Sequence, residues 1–222
     1  MLEILFENED LIAINKPHGL LVHWTKLDKH ATEFALQLLR DQIGQEVHPC
    51  HRLDRKTSGV LLFAKSRDAL VEVRNEFEAN RVQKVYHAIV RGHTPDTLFI
   101  DYPLTEEEKT QEAQTELKTL ERFEINLPFG GFPTSRYSLV ELKPQTGRFH
   151  QLRKHMKHIF HPILGDRPHG CNKQNKLWKE QYEMTTMMLC ARELQFKYKE
   201  EQIRISANYS QELKRTLNML IH

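Results

Sequence analysis

The run Val60-Leu61-Leu62-Phe63-Ala64, introduced by Thr57-Ser58-Gly59, constrains this chain more than any other stretch. Consecutive apolar residues bounded by turn formers read as a buried strand, around which the rest must be arranged. Directly upstream stands His51-Arg52-Leu53-Asp54-Arg55-Lys56. A carboxylate set between Arg52 and Arg55, with Lys56 next to them, suits an acid that must meet a polyanion. It suits equally a turn whose Asp caps backbone amides and whose cations are solvated.

With 222 residues, 39% hydrophobic and 28% charged, the chain has room for one large domain or two small ones and for an ordinary core. No composition shift marks a boundary, so a single domain over 1–222 is expected. Cys50, Cys171 and Cys190 are odd in number and lack paired spacing, which points to free thiols in a reducing compartment. The N-terminal stretch turns acidic by Asp10, unlike a signal peptide, and no apolar run reaches the length of a membrane span. A cytoplasmic monomer without a protein partner is the expectation. The net charge of +2 is unevenly spread: seven Lys or Arg against the single acid Asp166 between Lys143 and Lys173, but eight acids against three bases from Asp101 to Glu124. Such segregation predicts a basic face and an acidic one, or simply two solvated surfaces.

Leu2 to Glu7 and Leu11 to Asn15 read as strands joined by an acidic turn, followed by the turn Lys16-Pro17-His18-Gly19. A helix is expected from an N-cap at Asp28, with Ala31, Phe34, Ala35, Leu38 and Leu39 inward and Gly44 closing it. Ser66 caps a second helix carrying Leu70, Val73 and Phe77 inward. Gln83 to Arg91 is a strand ended by Gly92. The acidic segment Asp101 to Gln111 reads as a loop, and Ala113 to Ile125 and Arg136 to Lys143 as strands. After Thr146-Gly147, a helix with Phe149, Leu152, Met156, Ile159 and Phe160 as its apolar stripe should hold its basic residues clear of the core or at its border. Thr186 to Tyr198 and Ile203 to Ala207 pair through a turn at Glu200-Glu201, and a final helix turns Leu213, Leu217 and Leu220 inward. The pattern is α+β, a mixed, mainly antiparallel central sheet with flanking helices and loops. His155, His158 and His161 succeed one another at helical spacing, which raises a zinc site, but no Cys or carboxylate partner stands at ligand spacing.

Several of these stretches together resemble the RluA-type pseudouridine synthases. The signature HRLDxxTSG is matched from His51 to Gly59, KPxG from Lys16 to Gly19, and KxYxAxVxG from Lys84 to Gly92. TGRxHQ(I/L)RxH is matched from Thr146 to His155, HPIxGD from His161 to Asp166, and part of LHAxxLxF around Leu189, with Cys190 where His is usual. A further departure is His169-Gly170, where the family often has Tyr before Gly.

The resemblance implies the pseudouridine synthase fold without an S4 domain, and an isomerase that uses no cofactor and no metal. It implies Asp54 as the catalytic nucleophile, Tyr86 stacking on uracil and aiding loss of the C5 proton, and Arg153 in an ion pair with Asp54. Asp54 attacking the sugar and Asp54 acting as a base both stay open. The substrate is RNA, whose uridine must be extruded, with Arg52 filling the vacated stack. Arg55, Lys84, Arg148, His150, Gln151 and His155 are expected to contact it, and Leu189 to wall the uracil or merely pack the core. Within the family the likeness is to the members that modify uridine 65 of tRNA. Ribosomal RNA, or both RNAs, is the alternative, and a non-catalytic RNA-binding descendant is a second class.

Overall fold

A computed structural model describes residues 1–23 and 33–221 of the chain. In chain order its elements are β1 (Glu3–Glu7), β2 (Leu11–Lys16), α1 (Ala35–Ile43), β3 (His48–Pro49), β4 (Ser58–Ala64) and α2 (Arg67–Glu78). Then follow β5 (Gln83–Arg91), β6 (Thr97–Asp101), β7 (Leu104–Glu106), β8 (Lys109–Gln111), β9 (Gln114–Ile125) and β10 (Ser135–Pro144). The chain continues with α3 (Gln151–His158), α4 (Asn172–Tyr182), β11 (Leu189–Tyr198), β12 (Glu201–Ser206) and α5 (Gln211–Ile221). The architecture is α+β, and among the described residues no helix is long and apolar enough to cross a membrane.

The chain divides into two compact units. The first comprises Met1–Lys84 and Ala191–Ser210, the second Val85–Cys190 and Gln211–His222. In the first unit the strands run β1-β2-β4-β11, with β3 also paired to β4 and β12 to β11. All seven residues of β4 are buried, as its unbroken apolar run requires. Gly59, at φ +110, lets β4 approach β11 so closely that a Cβ there would lie 2.1 Å from the carbonyl oxygen of Ala191. Val60, Leu62, Ala69, Val73, Leu194 and Phe196 share one core, with Leu70 and Phe77 packed on it. Ser66 caps α2 by accepting from Ala69 N, and Gly44 ends α1 in the left-handed region. The expected start of α1 at Asp28, with Ala31, lies outside the described residues. Phe34 is extended rather than helical and bridges Leu21, so α1 begins at Ala35.

In the second unit the order is β5-β10-β9-β6, all antiparallel. The segment Asp101 to Gln111, expected to be a loop, instead contains the hairpin β7-β8, turned through Glu107 and Glu108 at positive φ. Thr105 and Thr110 join their hydroxyls across it at 2.8 Å. Helix α4, which the apolar spacing does not announce, is anchored by Gln174 and Trp178 donating to the hydroxyl oxygen of Tyr137 at 2.8 and 2.7 Å. Helix α3 is shorter than its stripe predicts. It ends at His158, and Phe160 adopts φ +63 and is 89% exposed.

Candidate active site

In the first unit Asp54 occupies the loop between β3 and β4, in a turn closed by Thr57 N donating to Asp54 O at 3.0 Å. Leu53 and Thr57 are buried and anchor the loop from below, whereas Arg52 and Arg55 are exposed. The loop is tied to the Lys16–Gly19 turn on three counts. Gly19 N donates to Arg55 O at 2.8 Å, and Arg55 Nε donates back to Gly19 O at 2.9 Å. The ammonium of Lys16, wholly buried, donates to the carbonyls of Pro17, Leu20 and Arg55 at 3.0, 2.8 and 3.2 Å. Burial pushes the Lys16 ammonium down to about 7, opposed by the Asp54 carboxylate. The sequence places Lys16 in a turn, whereas it is the last residue of β2. The feature that marks it is a cation closing a mostly apolar strand, LIAINK.

His51 holds the other end of the loop. Its Nε2 accepts from Leu62 N at 3.1 Å and its ring stacks on Phe77 at 5.2 Å between centroids. Burial, with the nearby charge of Lys84 second, pushes the imidazole down to about 4, so it acts here as a neutral acceptor. Lys84 is half-buried, and burial lowers its ammonium as well.

The second unit carries the remaining expected residues. Tyr86 lies on β5 opposite Leu142 of β10 and packs on a core containing Leu152, Met156 and Leu189. Leu189 is 2% exposed and belongs to that core. Arg153, expected clear of the core or at its border, is buried in it. It grips Asp166 side-on, Nε and Nη2 donating to the two carboxylate oxygens at 2.8 Å each. The HPIxGD match passed over that acid as a partner for the arginine.

Four expected RNA contacts are placed differently from one another. Gln151 is buried and cross-links the turn before α3, accepting from Thr146 Oγ1 and Arg148 N and donating to Gln114 O and Thr115 Oγ1. His155 is fully buried, Nδ1 bonded to Thr115 Oγ1 and Nε2 to Tyr102 O, both at 3.0 Å. Burial lowers its pKa and so favours the neutral imidazole. With their polar atoms engaged inside the protein, both side chains hold α3 to β9 and Tyr102. Arg148 remains exposed, its Nε donating to Glu112 O at 3.0 Å. His150, in the left-handed region at φ 55, stacks on Phe149 and meets Nε2 of His169 at 3.0 Å through Nδ1. His155, His158 and His161 go to separate partners, His158 stacking on Tyr102 and His161 bonding Arg91 O.

Residues 10–158 match the family described as RNA pseudouridylate synthase. A tRNA pseudouridine synthase C of Vibrio cholerae serotype O1 is 48% identical over 208 residues, covering 88% of this chain and 85% of that protein. Its counterpart from Haemophilus ducreyi is 45% identical over 230 residues, covering 98% and 95%. The solved structure of Human RNA Pseudouridylate Synthase Domain Containing 1 shares the fold, with TM-score 0.75 and 24% identity over 100% of this chain and 95% of that one.

Proposed function

The chain belongs to the RNA pseudouridylate synthase family, and we propose that it isomerises one uridine of tRNA, the uridine at position 65, to pseudouridine. The observation that carries the tRNA reading is the identity of 48% and 45%, over most of each chain, to proteins named for that substrate. The reaction breaks the bond from uracil N1 to ribose C1′ and forms one from C5 to C1′. C5 loses a proton and N1 gains one, so no redox partner or group donor enters.

The uridine leaves its stack before chemistry, and Arg52, exposed beside Asp54, fills the space with its flat guanidinium. Asp54 acts on the sugar, as nucleophile or as base, from a loop whose backbone is braced by Lys16 and by Arg55. Tyr86, packed on the core that includes Leu189, stacks on uracil and aids loss of the C5 proton. Arg153 is the cation of the site. Arg55, Lys84, Arg148 and His150 contact the RNA, while Gln151 and His155 shape the helix that bears Arg153. Residues 1–222 work as one catalytic domain, a monomer in the cytoplasm. Tritium release from C5-labelled uridine in bulk tRNA tests the reading: turnover by the purified chain is expected, and binding of tRNA without any release of label contradicts it.

A further inference from the structure

Asp166 is held more tightly than an incidental ion-pair partner needs to be. Its side chain is 1% exposed and that of Arg153 5%. The segment that carries it is threaded along β5: Arg91 N donates to Pro162 O at 3.0 Å, Leu164 N to Ile89 O at 2.9 Å, and Ile163 bridges Val90. Gly165, at φ +80, passes so near the following segment that a Cβ would sit 2.0 Å from Thr186 O. Asn175 of α4 then clamps the turn from the other side, accepting from Gly165 N at 2.9 Å and donating to Asp166 O at 2.7 Å. Gly170 permits the same closeness, since a Cβ there would meet Asp166 O at 1.9 Å. Four separate constraints thus fix the backbone that carries this carboxylate.

A carboxylate fixed on the Nε and Nη2 side of a guanidinium sets the plane of that group and the direction of its Nη1–Nη2 edge, because the fork is rigid. Arg153 alone has several rotamers. Bonded twice to Asp166 it has one.

We propose that Asp166 is a positioning residue for the reaction, orienting the Arg153 guanidinium, with Asn175 holding Asp166 in turn. The proposal rests on the reading that Arg153 serves the pseudouridine site. Asp166 touches neither base nor ribose; it acts through the arginine.

Single-turnover pseudouridine formation on a tRNA transcript, RNA affinity by filter binding, and thermal stability together test it. Asp166→Asn keeps the shape and removes the charge. The single-turnover rate is expected to fall about a hundredfold, the cost of a misplaced catalytic group, with RNA affinity within about twofold of wild type. In an Arg153→Met background the same substitution is expected to change the rate by less than about twofold, since nothing is left to orient. A merely structural acid would lower the rate by the same factor in both backgrounds, and that result overturns the proposal. If Asp166→Asn does not stay folded, Asn175→Ala serves instead. It loosens the turn from outside and is expected to cost about tenfold in rate at unchanged affinity. A folded Asn175→Ala chain with wild-type rate, or one whose loss is wholly in affinity, overturns it. A wild-type chain that forms no pseudouridine overturns the functional reading, and this proposal with it.

Discussion

Two buried titratable groups brace the loop that presents Asp54, and each makes the protein sensitive to pH in a defined direction. Lys16 falls from 10.5 to about 7 on folding, so between those values the unfolded chain holds the proton more often than the folded one. Stability therefore rises as pH climbs from about 7 toward 10.5, and Lys16→Met, which cannot titrate, removes that slope from a plot of melting temperature against pH. His51 falls from 6.5 to about 4, so stability is lost as pH drops through that window. His51→Gln flattens the acid arm, checked by the same thermal scans. The signature showed which acid to watch but not these braces. A lysine after five mostly apolar residues gives no sign that three carbonyls converge on it, because those carbonyls belong to backbone that only folding brings together.

At the scale of elements, what could be read was what is local. The buried strand β4, the Ser66 cap, the Gly44 stop and the long strand β9 follow from periodicity and capping chemistry, and all are present. What could not be read depends on distant packing. Hairpin β7-β8 turns on two glutamates rather than Asn-Gly, and α4 offers only Gln174 and Trp178 to the core, too sparse a stripe to announce a helix. In α3 the basic residues were expected outside or at the border, yet Arg153 and His155 are buried because Asp166, Thr115 and Tyr102 supply partners from other parts of the unit. The turn into β4 leaves the least freedom. Gly59→Ala combines an unfavourable φ with a contact to Ala191 O, and is expected to cost at least about 2 kcal/mol in urea unfolding.

For the molecule as a whole, family and fold were legible in the motif series because several fixed-spacing stretches recur in order along the chain. The motifs name a set of candidate site residues, and within each unit the structure distinguishes those that face outward from those that hold others in place. Arg52, Arg55 and Arg148 are exposed, while Gln151 and His155 are internal props. The basic stretch around α3 should therefore act on RNA through its outward cations. Lys157→Ala is expected to weaken tRNA binding evenly across sequences and to reduce the slope of affinity against salt by about 1 in a titration series. The account as a whole stands on Asp54. Carbodiimide primer extension on tRNA treated with the purified chain should give a single stop at uridine 65, and the Asp54→Asn chain should bind the same tRNA and give none. A stop of equal strength with Asp54→Asn, or no stop with the wild-type chain, would contradict it.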